Sequence, residues 1–228
     1  MNLENALLEL KTAGNPKKAE ELARHHKVDR VYLGIANPVL DEMCRNWRQE
    51  LTLDARVELA SDLWNTDIHE ARIAAAKLLT QARIAKDDAV WALIQSWVED
   101  LDTAAIADQV CTAGQKRLLA DPSRFDTVET WTQSDYPWIK RSALAMTKPW
   151  AKKNHLKAED ITLRDRVLAW AADFATDHTR LIQNAITDWL SDLSRHDAAR
   201  VEAFLDAHGE LLKPYALRDT LHHLKKAR

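Results

Sequence analysis

The sequence predicts an all-α protein, and three observations carry that expectation. Only 4 Gly and 6 Pro occur in 228 residues, too few turn formers for a many-stranded sheet. Ala, Leu, Glu, Lys and Arg dominate, the residues that lose least on entering a helix. The apolar residues recur at helical spacing and not in period-two alternation. At 46% hydrophobic residues, the chain carries enough apolar surface for a sizeable core.

Along the chain, turn and cap chemistry separates the helical segments. The first break is "AGNPKK" (13–18), and the second is "GIANPVL" (34–40). There Asn37 before Pro38 reads as an N-cap with proline at the first helical position. "EARIAAAKLL" (70–79) follows as an Ala-rich helix opened by a polar pair. "DPSR" (121–124) repeats the cap signal with Asp121 before Pro122, and "SDYP" (134–137) leads into "IKRSALAMTK" (139–148). "IQNAITDWLS" (182–191) is the third Ala-containing helix, and "HGELLKP" (208–214) is the last break.

These three helices resemble one another. Arg72-Ile73-Ala74-Ala75-Ala76 aligns with Arg141-Ser142-Ala143-Leu144-Ala145, an offset of about 69 residues or two units of about 35. The step from Ile139 to Ile182 is about 43 residues. Stacked helix pairs of the HEAT or armadillo type give such spacings, because one pair cannot bury its apolar face alone. The expectation is an α-solenoid of about five or six irregular pairs. No long linker interrupts it, so residues 1–228 read as one superhelical domain.

Several function classes are disfavoured. Cys44 and Cys111 make neither a disulfide framework nor a zinc site. The nine histidines lack the i, i+4 pair with a carboxylate that zinc enzymes use, and they read as surface or capping residues. There is no Gly-rich phosphate loop and no nucleophile elbow. No run approaches the roughly 18 apolar residues of a membrane span. "MNLENALLELKTAG" lacks a signal peptide's basic and apolar regions, so the cytoplasm is the expected compartment.

Net charge is −3, but charge is segregated. Six acids and no Lys or Arg lie between Asp87 and Asp108, whereas Pro137 to Arg166 carries eight Lys and Arg against three acids. Leu217 to Arg228 adds four bases against one acid. Any one run reads as a solvated helix face; the central strip with the basic tail also suits a polyanion. Among nine tryptophans, Trp64, Trp91 and Trp170 read as core. Trp138 stands at a helix start before Lys140 and Arg141, where a guanidinium and helix N-terminal amides could hold a phosphate. The other reading is a core-edge tryptophan beside solvated bases.

"VYLGIANPVLDEMCRNW" (31–47), "ELASDLWNTDIHEARIAAAKLL" (58–79), "SWVEDLDTAAIADQVC" (96–111), "TWTQSDYPWIKRSALAM" (130–146) and "LIQNAITDWL" (181–190) follow in order. Together they resemble the AlkD-like DNA alkylation repair enzymes, the HEAT-like-repeat alkylpurine DNA glycosylases. The resemblance implies an α-solenoid that excises N3- and N7-alkylated purines from duplex DNA, acting as a monomer with no metal or other cofactor. It implies a concave basic groove that contacts the lesion strand without flipping the base, unlike other glycosylases.

An alkylated purine is already cationic and leaves without strong acid help. Positive charge then grows on the sugar, and a carboxylate beside C1′ stabilises it and orients water. The resemblance assigns that carboxylate to Asp108 in "AIADQVC", with Asp102 in "EDLDT" as the competing alignment. It assigns the phosphate clamp to Arg141. Trp138, Lys140, Lys148, Lys152, Lys153, Arg164, Arg166 and Trp189 are expected along the DNA groove. Two positions depart from the family pattern: its first aromatic falls on Ala104, and its second nearest Asp188, one residue before Trp189. These departures keep a second reading open, a non-catalytic solenoid that binds nucleic acid or a protein partner.

Overall fold

The structure is a computed structural model that describes residues 1–227. Among these it is all-α, with no strand and only an isolated bridge between Val31 and Ile68. Contacts group the chain into two compact units, Met1–Ala120 and Asp121–Arg228.

The first unit holds α1 (Leu3–Thr12), α2 (Pro16–His26), α3 (Asn37–Glu50), α4 (Leu53–Asn65), α5 (His69–Leu78), α6 (Asp88–Val98) and α7 (Ala104–Ala120). Its centre is α5, which packs on α3, α4 and α7. Eight of its residues are buried, among them Ala71, Ala74, Ala75 and Ala76. An Ala-rich surface lets three helices approach one axis, and a leucine at Ala75 would overpack that contact by about 1–3 kcal/mol. Trp64 and Trp97 stack across α4 and α6 with ring centres 4.6 Å apart, as core tryptophans should. Trp91 is also buried.

The second unit holds α8 (Phe125–Thr130), α9 (Pro137–Met146), α10 (Lys148–Lys152), α11 (Ala158–Asp173), α12 (Arg180–Ser194), α13 (Ala198–His208) and α14 (Pro214–Ala227). Here α12 is the centre, packed on α9, α10, α13 and α14. Ile182, Ala185, Ile186, Trp189, Leu190 and Leu193 form its buried stripe, at the spacing a helix needs to bury one broad face. Successive packing of α3 on α5 on α7, and of α9 on α12 on α14, is the repeat logic expected from the sequence. All three Ala-containing segments are helices, namely α5, α9 and α12.

Two local expectations need correction. Helix α3 begins at Asn37, with Ala36 and not Asn37 at the cap, and no side chain bonds its first turn. The cause is the preceding loop. The buried Glu70 carboxylate accepts the Leu33 and Gly34 amides at 2.9 and 2.7 Å and the Ile35 amide at 3.4 Å. Gly34 (φ +75°) also lies so close to α2 that a Cβ there would meet the Asn15 carbonyl oxygen at 2.2 Å. The loop is thus fixed before Asn37 is reached. The second correction is His69, read as a surface or capping residue. It is 2% exposed, packed 4.7 Å from the His26 ring and 4.9 Å from the Tyr32 ring. The Asp121 cap behaves as expected, its carboxylate accepting the Ser123 amide at 3.1 Å. Cys44 and Cys111 are both buried and neither is in a disulfide.

Candidate nucleic-acid interface

In the second unit, the "PWIKR" segment opens α9 with Pro137 in its first turn and no side-chain cap on its N-terminus. Trp138 and Lys140 are half-buried, as is Arg141. The Arg141 guanidinium lies 5.7 Å from the Trp138 ring centre, a cation–π distance that holds a long side chain near the helix start. Lys140 lies 5.8 Å from the Phe174 ring and 3.7 Å from an Asp177 carboxylate oxygen. Burial works to raise the Asp177 carboxyl, but hydrogen bonds from Thr179 and the charge of Lys140 outweigh it and hold it below its ordinary value.

The remaining basic residues assigned to a groove fall into two groups. Lys148 and Lys152 face carboxylates on α12. Lys148 Nζ is 3.6 Å from Asp188 and 4.0 Å from Asp192, and Lys152 Nζ is 3.3 Å from Asp192. Lys153 reaches Asp160 at 2.5 Å. Asp160 also accepts the Trp150 indole N–H and the Lys157 amide, so its carboxyl is held below the ordinary value although burial opposes the shift.

For two residues, Arg164 and Trp189, the structure differs from the expectation of a surface role, and a third, Arg166, stays partly exposed but is held by acids. Arg164 is buried, and its guanidinium donates to the Trp150 and Lys153 carbonyls at 2.9 and 2.8 Å and to Asp197 at 3.1 Å. It satisfies the carbonyls that the short α10 leaves open at its C-terminus, a task that removes it from solvent. Arg166 spans Asp126 at 2.9 Å and Glu129 at 2.5 Å. The Arg166 hydrogen bond, with a second from Trp170, lowers the Glu129 carboxyl. Trp189 is fully buried in the α12 stripe while Asp188 is exposed. One residue is about 100° of helix, so the two cannot share a face.

The two candidate carboxylates lie in the first unit. Asp108 is exposed on α7, one turn after Ala104. Asp102 is bound bidentate by Arg30 at 3.0 and 2.9 Å, and Arg30 also reaches Asp67 at 2.8 Å. Burial opposes charge on Arg30, yet the bonds to Asp102 and Asp67 prevail and raise its pKa. Asp102 therefore neutralises a buried guanidinium. Of the rest of the acidic run, the buried Asp87 pairs with Arg117 at 2.8 Å and the exposed Asp100 accepts the Trp64 indole at 3.2 Å, while Asp88 and Glu99 are exposed.

Asp177 and Asp192 carry no expectation from the sequence, and Asp188 only that of a missing aromatic, yet each lies within 4.0 Å of a lysine expected along the groove. Their signal was present, since Asp188 and Asp192 are four residues apart and share one side of α12. No group of three or more His, Cys, Asp or Glu side chains among the described residues is placed to hold a metal ion. Among the same residues, no helix is long and apolar enough to cross a membrane.

The sequence model of a family described as DNA alkylation repair enzyme matches residues 6–224. No curated protein matches the sequence. Among solved structures, a predicted DNA alkylation repair enzyme from Enterococcus faecalis superposes with a TM-score of 0.76 at 18% identity, over 93% of this chain and 97% of that one. The protein smu.31 from Streptococcus mutans UA159 gives 0.62 at 13% identity, over 92% and 98%. Both likenesses show the fold.

Proposed function

The chain belongs to the DNA alkylation repair enzyme family, and from that premise we propose that it is a glycosylase excising N3- and N7-alkylated purines from duplex DNA. Asp108 is the working carboxylate and Arg141 the phosphate clamp. The observation that carries the choice is the engagement of Asp102, which holds the buried Arg30 through two hydrogen bonds and is thereby committed to the fold.

A carboxylate near the sugar lowers the cost of positive charge at C1′ as the cationic base departs, and it orients the water that replaces the base. Arg141, steered by the Trp138 face, supplies a guanidinium charge for a phosphate. The uncapped α9 N-terminus adds favourable amide dipoles. No metal or cofactor is needed, because the leaving group carries its own positive charge.

The test is release of 7-methylguanine and 3-methyladenine from methylated duplex DNA. Wild type and Asp102→Asn should release both, and Asp108→Asn neither. Arg141→Ala should weaken duplex binding and flatten its salt dependence by about one unit of slope. Release by Asp108→Asn at the wild-type rate would refute the carboxylate assignment. The second reading, DNA binding without cleavage, draws on Ala104 at the start of α7 and on the burial of Trp189, which together leave no aromatic at either family position. Tight duplex binding with no release by folded wild type would establish it.

A further inference from the structure

Helix α14 packs on α12 and α13 through one side, where Ala216, Thr220 and Leu224 are buried. Its other side opens on solvent as a groove of about 400 Å³, lined by Pro214, Leu217, Arg218, Leu221, His222 and Lys225. Leu221 is 39% exposed there, and Leu211, just before the helix, is 42% exposed. A helix face turned to water is ordinarily polar, so leucines grouped there and rimmed by charge mark a contact surface. The rim is basic. Among the described residues Lys225 makes no ion pair, and Arg218 has only its sequence neighbour Asp219, at 3.4 Å with both side chains exposed. Such a pair is worth little, so both cations are available to a partner.

The first unit carries the counterpart. On α4, Asp54, Glu58 and Asp62 recur at every fourth position and so share one side of the helix. Asp54 and Glu58 are exposed and Asp62 is half-buried, and none of the three is in an ion pair among the described residues. Glu58 and Asp62 edge a smaller groove of about 130 Å³, whose apolar lining includes Leu3, Ala55 and Leu59.

We propose that these two faces are partners, so that α14 of one copy docks on the α1–α4 face of a second copy of this chain. Leu221 enters the smaller groove, and Arg218 and Lys225 reach the α4 carboxylates. The charges are opposite, and on both faces they stand beside apolar residues. The charged rows also match in length: α14 advances about 10.5 Å from Arg218 to Lys225, and α4 about 12 Å from Asp54 to Asp62. A nucleic-acid backbone would use the α14 cations but leave the leucines in water. The two faces differ, so the contact is heterologous and each copy can use both at once. Grooves of this size suit a transient contact, weak and sensitive to salt. It shares no residue with the glycosylase site.

Sedimentation equilibrium of the full chain over about a hundredfold range of concentration should show reversible self-association that high salt weakens. Lys225→Glu and Glu58→Lys change exposed side chains and keep the fold, which circular dichroism checks; each alone should weaken self-association about fivefold. Mixed in equal amounts, the two variants should associate as wild type does, because the reversed α14 of one meets the reversed α4 of the other. Leu221→Ser, which changes no charge, should weaken self-association about threefold. A wild type that stays monomeric, charge variants that associate as wild type does, or a mixture that fails to associate would each overturn the proposal. A monomeric wild type that binds a duplex or an anionic vesicle, and loses it on Lys225→Glu, would overturn it too and assign α14 to that ligand. None of these readouts depends on base excision.

Discussion

If Lys148 and Lys152 belong to a DNA-binding face, each must leave an aspartate before it can reach a phosphate. Asp192 is the shared obstacle, 3.3 Å from Lys152 and 4.0 Å from Lys148. Asp192→Asn keeps the shape and removes the charge. Exposed ion pairs are each worth about 0.2–1 kcal/mol; the variant frees Lys152, while Lys148 keeps Asp188 at 3.6 Å, so about 0.2–1 kcal/mol returns to binding. That corresponds to about a 1.4- to five-fold lower Kd at low salt.

The side chain of Asp192 is only 16% exposed, which places the expectation toward the upper half of that range. Each lysine that newly engages a phosphate also steepens the salt dependence by about 0.9 in log–log slope. Fluorescence anisotropy with a labelled duplex across a sodium chloride series measures both quantities. Asp206→Asn, an exposed acid on α13, controls for the change in net charge. Equal Kd and equal slope in the two variants would refute the reasoning and take Lys152 off the DNA face.

Asp102→Asn should separate stability from chemistry. It leaves Arg30, whose side chain is 3% exposed, with Asp67 as its remaining carboxylate, a loss of about 3 kcal/mol. At about 2–4 °C per kcal/mol for a chain of this size, Tm falls by about 6–12 °C. Burial holds His69 neutral, with a pKa down at about 3 against 6.5 in the unfolded chain. The stability of the neutral ring is therefore complete above pH 6.5 and is lost as pH falls from there toward 3, by up to about 1.4 kcal/mol per pH unit. Urea denaturation between about pH 7.5 and pH 5 should show that slope, and His69→Phe should flatten it. Burial also pushes the Cys44 thiol up to about 12, so Ellman's reagent should not label it in the native protein and should do so in urea.

The all-α class, the Ala-rich helices and their repetition were legible because period and composition are local properties. The buried tryptophans of α4, α6 and α11 were legible for the same reason. What the sequence hid was the partner of each charge. Arg164 and Arg166 lie two residues apart on α11, yet one is buried against α10 carbonyls and the other spans two acids of α8. Only the packing of neighbouring helices decides that difference. His69 was hidden likewise. It looks like a lone histidine, and its burial comes from α2 and the 31–36 loop, which Glu70 fastens from the next position. The Asp188–Trp189 step was more readable, since a single position along a helix already separates a core tryptophan from an exposed acid.

The aligned arginines of the two units show how a repeat can supply both scaffold and site. Arg72 and Arg141 each lie over a tryptophan, at 4.7 Å from Trp64 and 5.7 Å from Trp138. In the first unit the guanidinium is absorbed into the structure: Arg72 donates to the Trp64 carbonyl at 3.3 Å and pairs with Asp67 at 3.1 Å. Asp67 serves there because its left-handed backbone (φ 53°) turns the chain between α4 and α5 and sets its carboxylate between Arg30 and Arg72. The position aligned with Asp67, five residues before Arg141, is Tyr136, an exposed aromatic with no charge to offer. The second unit therefore repeats the arginine and its aromatic support but places an aromatic, not an acid, at that position. A helical repeat needs its apolar stripe in every copy, whereas the residue five before the arginine can change between copies.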